Sequence, residues 1–142
     1  MDSINYTDDK NLVNYDEGAE LYEGVGFGKA SDYKGDARYR ATLSQPGTYA
    51  FFALDSNNHL LGMLRAFSDD RICTWVADIC VQPQWQRQGI GAHLMGMLEK
   101  RFGHTAIYVS ALSGSEDFFE KQGVKRASKL IACARRGGDG LS

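Results

Sequence analysis

The amino-acid sequence predicts an α/β fold with a mixed, mainly antiparallel sheet that carries helices on its faces. Three aromatic and apolar runs are separated by turns rich in Asp and Asn, a pattern typical of antiparallel hairpins. The three runs are 48–54, 60–67 and 72–81. After Pro83 the apolar period changes, and residues 90–102 have the spacing of one helix face. We therefore expect this helix to pack on a face of the sheet.

Shorter patterns complete the predicted order of elements. They are a strand at 3–8, a helix at 16–25, a loop containing Gly28 and Gly35, a short helix at 36–44, a strand at 105–111, a short helix at 115–122 and a final strand or hairpin at 124–134. Residues 1–134 are predicted to form a single domain. Residues 135–142 are predicted to form a flexible C-terminal tail.

The composition excludes several classes of protein. The chain has 142 residues, of which 43% are hydrophobic and 24% charged, values typical of soluble globular proteins. It has no apolar run of the roughly 20 residues that a membrane helix needs, and no signal-like start. A net charge of −2 gives no support to nucleic-acid binding. Cys73, Cys80 and Cys133 fit neither a disulfide framework nor a metal site, and we expect reduced thiols in a cytoplasmic protein.

Charge is distributed unevenly along the chain. Residues 1–25 contain seven acidic residues and one lysine. Such a segment could steer a cationic substrate towards the protein. It could also be the solvated face of a helix, and charge alone favours this second interpretation.

The segment 76–92 has the composition of a strand, a loop, a glycine-rich turn and the start of a helix. Glycines allow a close approach to the backbone, and the first amides of a helix lack internal partners at the positive end of its dipole. Such a start suits a phosphate, and Arg87 could add a charged contact. The turn alone does not distinguish a phosphate site from an ordinary tight turn. It lacks the P-loop lysine and the third glycine of a dinucleotide fold, which leaves a nucleotide-binding module as a remote alternative.

The wider context resembles the GNAT superfamily of acetyl-CoA-dependent N-acetyltransferases. Gln86–Gly91 is similar to its Q/R-x-x-G-x-G/A signature, and Asp78–Pro83 resembles its fourth strand. Phe119–Val124 resembles its Tyr-Glu-Lys-x-Gly-Phe element, and Glu20–Phe27 resembles the opening helix and loop of small bacterial members. The resemblance is firm over residues 72–125 and looser over 1–71.

The resemblance implies a GNAT-like splayed sheet in which acetyl-CoA, as cosubstrate, enters between the strands at 72–81 and 105–111. Main-chain groups of Ile79 and Val81 would bind its pantetheine arm, and backbone amides from Gln86 to Ala92 its pyrophosphate. The residues predicted to bind it are Ile79, Cys80, Val81, Gln86, Arg87, Gln88, Gly89, Ile90, Gly91, Ala92 and Phe119. A primary amine would attack the thioester directly in a ternary complex. The pattern leaves the acceptor, a small amine or a protein lysine, and homodimer formation open.

Two departures from the family pattern concern the leaving thiolate. The tyrosine that often protonates it is replaced by Phe119, and an asparagine common nearby is absent where Leu112 stands. Because thiols have pKa values near 8.5, a weak acid could suffice. Water, Ser113, Ser115 or Tyr108 could supply the proton. The alternative function is a non-catalytic module that binds acyl-CoA or regulates a partner.

Asp78 is the predicted general base, acting through water. It lies beside the expected acetyl site, on the strand face opposite Ile79. The alternative is a structural carboxylate that pairs with a neighbour. His93 and His104 lie near helix ends, where capping and dipole roles are common. Cys80 is expected to serve packing, because the transfer needs no covalent intermediate.

Overall fold

A computed structural model describes residues 3–112, 114–127, 129–135 and 137. Within these residues five strands form one sheet in the order β1-β2-β3-β4-β5. The strands are β1 (Asn5–Thr7), β2 (Thr48–Leu54), β3 (Leu60–Ser68), β4 (Cys73–Val81) and β5 (Ala106–Val109). Neighbours from β1 to β4 are antiparallel, whereas β5 runs parallel to β4. The predicted mixed, mainly antiparallel sheet is confirmed.

Aspartate side chains close the two hairpins in the middle of the sheet. Asp55 Oδ1 accepts the backbone N–H groups of Asn57 and His59 at 2.8 and 2.9 Å. Asp69 Oδ1 accepts three successive N–H groups, from Arg71 to Cys73, at 2.9, 2.8 and 3.1 Å. The turns are therefore set by local side-chain bonds, which is why their composition predicted them.

Helices cover both faces of the sheet. They are α1 (Tyr15–Gly24), α2 (Ala30–Lys34), α3 (Ala37–Ala41), α4 (Ile90–Phe102) and α5 (Glu116–Lys121), with 3₁₀ turns at Lys10–Leu12, Thr42–Ser44 and Pro83–Trp85. On one face, α4 and α5 pack through side chains such as Leu94, Leu98 and Phe119. On the other, α1 to α3 pack through Tyr22 and Tyr39. Both faces of β2 and β3 are therefore buried, which explains their nearly continuous apolar runs.

The expected loop before residue 36 contains a helix that the sequence pattern did not predict. The Glu23 carboxylate accepts the N–H of Ala30 at 2.6 Å, and Lys34 pairs with Glu20 at 2.9 Å. Lys29, at the N-cap position, makes no side-chain capping bond. Helix α2 is therefore held by partners on α1, which a local signal cannot reveal. The predicted helix at 36–44 is present as α3 and the 3₁₀ turn that follows it.

The predicted final strand or hairpin at 124–134 is wrong for the residues described, because neither 124–127 nor 129–135 contains a strand. Gly123, at φ +84°, ends α5, and the Val124 N–H donates to the Phe119 carbonyl at 2.9 Å. Arg126 then pairs with Glu120 at 3.0 Å, so a side chain of α5 holds the segment that was expected to pair in the sheet. Of the predicted tail, Arg136 and residues 138–142 lie outside the described residues.

An irregularity in β4 parts the sheet. Arg65 pairs with Asp78 and Ala66 with Val76, which leaves Ala77 as an extra residue, a β-bulge. Strand β5 pairs with β4 only from Cys73 to Val76. Beyond the bulge, β4 keeps β3 on one side and loses its neighbour on the other. The predicted gap between these strands is therefore present in the fold.

Candidate active site

The parting of β4 and β5 opens a cleft of about 700 Å³, here called the β4–β5 cleft. Its lining is Ile79, Val81, Trp85, Gln86, Arg87, Gly89, Ile90, Gly91, Ala92, Gly114, Ser115, Phe118, Phe119, Lys121 and Gln122. Nine of the eleven residues predicted to bind the cofactor are in this lining. Cys80 is buried on the opposite face of β4, and the Gln88 side chain turns away to the Gln84 carbonyl, 3.3 Å distant.

A set of backbone amides borders the cleft at the start of α4. Arg87 and Gly89 have φ values of +63° and +87°, in the left-handed region. The first backbone bond of the helix runs from the His93 N–H to the Gly89 carbonyl at 3.0 Å. The N–H groups of residues 90–92 therefore have no acceptor within the helix, and they lie at the positive end of its dipole. Left-handed residues before a helix form a concave array of amides that suits a phosphate group.

The open edge of β4 also presents backbone groups to the cleft. The Cys80 carbonyl faces β3, because a Cβ built on Gly62 would lie 3.1 Å from it. Backbone groups alternate along a strand, so those of Ile79 and Val81 face the gap. The Val81 carbonyl accepts a hydrogen bond from Gln86 Nε2 at 3.0 Å. An extended ligand could therefore be bound along this edge in the way that a strand would be.

A second cavity, of about 490 Å³, lies on the other face of β4, under α1 to α3. We call it the tyrosine cavity. Its lining is Tyr22, Phe27, Tyr33, Arg38, Tyr39, Thr42, Arg65, Ala77 and Asp78. It touches β4 at the bulge, one residue before Ile79 of the β4–β5 cleft. The two cavities therefore approach each other where the sheet parts.

Asp78 is the centre of a hydrogen-bond network in the tyrosine cavity. Its Oδ1 accepts the Tyr22 hydroxyl at 3.0 Å, and its Oδ2 accepts Arg65 Nε and Nη2 at 3.0 and 2.8 Å. Arg65 Nη1 also donates to Thr42 Oγ1 at 2.9 Å. The Asp78 side chain is 13% exposed. The Asp78–Arg65 pair thus joins β3, β4, α1 and the 3₁₀ turn after α3.

The charges in this network are fixed by its surroundings. Burial, reinforced by the negative charge of Asp78, raises the pKa of Tyr22, so its hydroxyl stays protonated and donates. Burial is the largest single influence on Arg65 and lowers its pKa, but the charge of Asp78, the neighbouring Tyr22 and the hydrogen bonds to both together raise that pKa above the usual value. Burial also raises the pKa of the Cys80 thiol, which keeps this neighbour neutral. The network therefore holds one ion pair and no further charge.

The other candidate residues occupy different places. His93 stacks on Tyr6, with ring centroids 3.5 Å apart, and His104 pairs with Asp70 at 3.0 Å. Neither histidine lines the two cavities described. Tyr108 stacks on Trp75 away from the β4–β5 cleft, whereas Ser115 lines that cleft. Ser113 lies outside the described residues.

Comparison with known proteins identifies the family. A family model described as an acetyltransferase (GNAT) domain matches residues 19–132. The chain belongs to the GNAT acetyltransferase family. The membership predicted from the resemblance over residues 72–125 is confirmed, and the protein is an acyltransferase. No curated protein matches the chain in sequence.

Solved GNAT structures share the fold. A GNAT family acetyltransferase from Streptococcus pneumoniae has a TM-score of 0.68 at 22% identity, covering 96% of this chain and 100% of that chain. An aminoglycoside acetyltransferase from an uncultured soil metagenomic sample, in complex with trehalose, has a TM-score of 0.72 at 20% identity, covering 96% of this chain and 97% of that chain. AAC(6′)-Iy in complex with the bisubstrate analogue CoA-S-monomethyl-acetylneamine has a TM-score of 0.67 at 12% identity, covering 96% of this chain and 99% of that chain. At these identities the likeness shows the fold alone.

Sequence reasoning missed several residues that line the two cavities. Phe118 lines the β4–β5 cleft directly opposite Gly91, next to the predicted Phe119, which also lines the cleft. Arg65 was not predicted at all, although an arginine between the apolar residues of a central strand is a signal that it needs a buried acid. The aromatic residues of the tyrosine cavity were also missed, because they come from three separate short helices and a loop.

A glycine substitution tests the cleft as the acetyl-CoA site. A Cβ on Gly91 would lie 3.1 Å from the Phe118 ring, so Gly91→Val should obstruct the cleft between α4 and Phe118. Acetyl-CoA at 100 times its Kd should stabilise the wild type by about 2.7 kcal/mol, and this increase in Tm should be lost in Gly91→Val.

Gly96→Val is the matched control, because it makes the same change in the same helix where nothing lies within 4 Å of the added Cβ. This variant should keep the full thermal shift. Retention of the shift by Gly91→Val would place acetyl-CoA elsewhere.

Proposed function

We propose that this protein transfers the acetyl group of acetyl-CoA to a primary amine by direct attack in a ternary complex. The observation that carries the proposal is the pair of cavities on opposite faces of β4. Ala77 and Asp78 line one, and Ile79 of the same strand lines the other. Two substrates bound in these cavities would meet at the bulge, so neither needs a covalent link to the protein. Holding two reactants together in this way removes much of the entropic barrier to their reaction.

The β4–β5 cleft fits the chemistry of acetyl-CoA. The amides of residues 90–92 and the side chain of Arg87 would bind its phosphate groups, and the β4 edge at Ile79 and Val81 its amide-bearing arm. The thioester supplies an acyl carbon that an amine can attack. The complex of AAC(6′)-Iy with a CoA-linked acceptor analogue supports such an arrangement of two substrates in a related fold.

Asp78 is proposed to receive the proton that the amine loses. The amine nitrogen forms a bond to the acetyl carbon, the carbon–sulfur bond breaks, and the products are an N-acetylated amine and the free thiol of CoA. A carboxylate offers about four acceptor positions. Three are used by Tyr22 and Arg65, and one on Oδ1 is left for a water molecule that relays the proton.

The leaving thiolate needs a proton from a group other than residue 119. Ser115 is the proposed donor, directly or through water, because it lines the cleft and its side chain makes no capping bond to α5. Tyr108 is a weaker candidate, since its ring stacks on Trp75 with centroids 5.6 Å apart. Because the pKa of a thiol is near 8.5, the leaving thiolate is a weak base and does not need a strong acid as its proton donor.

A cytoplasmic location is proposed on the state of the cysteines. Cys73, Cys80 and Cys133 are free, as a reducing compartment requires. In the described part of the chain, no helix has the length and apolar character needed to cross a membrane. Formation of a homodimer stays a prediction.

Release of free thiol tests the proposed activity. Purified protein with acetyl-CoA and a panel of primary amines should release CoA thiol in an amine-dependent manner, and mass spectrometry should find the acetylated amine in equal amount. Thiol release that is independent of every amine would indicate thioester hydrolysis and would contradict the proposal.

Substitution of the proposed base should separate catalysis from structure. General acid–base groups contribute about 10²–10⁴ in rate, so Asp78→Asn should lower kcat by at least a hundredfold. Tyr22→Phe removes one bond to Asp78 and keeps its ion pair with Arg65, so its kcat should fall less than tenfold. A folded Asp78→Asn variant with wild-type kcat would establish the structural interpretation of this carboxylate.

A tyrosine restored at residue 119 should change the activity little if another group protonates the thiolate. Phe119 is 6% exposed and borders the cleft, so Phe119→Tyr adds a hydroxyl at the cleft wall. Its kcat/KM should stay within tenfold of the wild type, a barrier change below about 1.4 kcal/mol. Phe118→Tyr is the matched control on the adjacent ring. A hundredfold rise confined to Phe119→Tyr would mean that the native site lacks an acid that its reaction needs.

A further inference from the structure

The tyrosine cavity has a wall of four aromatic rings. The ring centroids of Tyr22 and Tyr33 are 5.1 Å apart, and those of Tyr33 and Tyr39 are 5.5 Å apart. Phe27 extends the wall, with its centroid 6.3 Å from that of Tyr22. These distances are those of mutually packed rings. The wall is therefore one continuous surface, built from α1, the loop after it, α2 and α3.

The hydroxyl groups of the wall are engaged inside the protein. Tyr22 donates to Asp78, Tyr33 to the Phe27 carbonyl and Tyr39 to the Tyr15 carbonyl. Because each O–H group already has an acceptor, the rings offer a ligand mainly their carbon surfaces. A ligand rich in hydroxyl groups would find few donors on this wall.

The cavity also lacks the negative charge that a polycation would require. Asp78 is the one carboxylate among the described residues of its lining, and Arg65 neutralises it at 2.8 Å. The second cation of the lining, Arg38, pairs with Asp36 outside it at 2.7 Å. Burial raises the pKa of all three lining tyrosines, that of Tyr39 to about 12, so no tyrosinate adds negative charge near neutral pH.

The acidic N-terminal segment does not supply this charge either. None of its described acids lines the cavity. Asp16 pairs with Arg40 at 2.8 Å, Glu17 with His59 at 2.6 Å, and Glu20 with Lys34 at 2.9 Å. The structure thus favours the helix-face interpretation of these acids over the steering of a cationic substrate.

We infer that the acceptor is a primary monoamine with an aromatic or apolar body, seated on the tyrosine wall with its amine towards Asp78. The inference rests on the proposed acetyl transfer for the identity of this cavity as the acceptor site. The neutral amine form would attack the acetyl carbon, its N–H proton would leave through Asp78, and the thiol of CoA would be released. Rings of the wall would pack on the body of the acceptor, as aromatic side chains do in small-molecule sites.

A matched pair of amines tests the inference. 2-Phenylethylamine and butane-1,4-diamine have similar lengths, but one ends in a phenyl ring and the other in a second ammonium group. We expect kcat/KM for 2-phenylethylamine to exceed that for butane-1,4-diamine, and that for kanamycin, by at least tenfold. An equal or higher value for either polycation would overturn the inference.

Variants of Tyr33 locate the effect on the wall. Tyr33→Leu removes a half-buried ring and should raise the KM for 2-phenylethylamine at least tenfold, with the KM for acetyl-CoA unchanged. Tyr33→Phe keeps the ring, and its KM for 2-phenylethylamine should stay within threefold of the wild-type value. Tyr49→Leu is the control, because it removes another half-buried tyrosine that does not line the cavity. Equal KM values for 2-phenylethylamine in Tyr33→Leu, Tyr33→Phe and Tyr49→Leu would contradict binding of the acceptor on the tyrosine wall.

Calorimetry distinguishes failure of this inference from failure of the proposed function. Binding of the two amines to the wild type is measured without acetyl-CoA, so the result does not depend on turnover. If no amine is acetylated but 2-phenylethylamine binds at least tenfold more tightly than butane-1,4-diamine, the proposed function fails and the selectivity of the cavity stands. If acetylation proceeds and the diamine binds as tightly, the proposed function stands and the inference fails.

Discussion

The structure depends on one constraint, which is that β4 pairs with β3 along its length but with β5 over four residues only. A buried backbone that loses its partner is costly unless something else bonds to it. Here the Gln86 side chain bonds to the Val81 carbonyl, and the remaining groups of the edge face a wide cleft. The same parting brings the amide array of α4 beside this edge. A defect in sheet pairing is thus the feature that creates room for a long, extended ligand.

On the face of β4 that borders the tyrosine cavity, the ion pair of Asp78 with Arg65 connects β4 to β3. The pair spans β3 and β4 next to the bulge, and Tyr22 and Thr42 connect it to the covering helices. Removal of one member of a largely buried pair costs about 3–5 kcal/mol, because the other charge is left without a partner. Asp78 therefore has a structural role whether or not it accepts a proton. Any loss of activity at this position must be compared with a variant that keeps the pair.

The features that the sequence predicted are those set by local chemistry. The hairpins close on Asp55 and Asp69 within four residues, and α4 follows from its apolar spacing. Each of these elements is determined within one continuous segment of the chain, of which the longest is the 13-residue helix α4. The amide array of α4 is local in the same sense, which is why a short glycine pattern could select residues 86, 87 and 89–92, all of which line the cleft.

The features that were missed depend on contacts between distant segments. Helix α2 is held by Glu20 and Glu23 of α1, and residues 124–127 are held by α5 instead of by β5. The approach of Phe118 to Gly91 depends on the rotation of α5 against α4, which spacing alone does not fix. The aromatic wall needs four segments to be folded before its rings meet. Patterns along the chain cannot show such an assembly.

The aromatic wall also explains how the short helices above it remain folded. Helices α2 and α3 have five residues each, far below the length at which an isolated helix is stable. Their stability must come from tertiary contacts, and the packed rings of Tyr22, Tyr33 and Tyr39 provide them. The surface that we propose for the acceptor is therefore also the core of the elements that present it. Changes of acceptor specificity in this region should be coupled to stability, because a smaller ring both widens the cavity and weakens the helices around it.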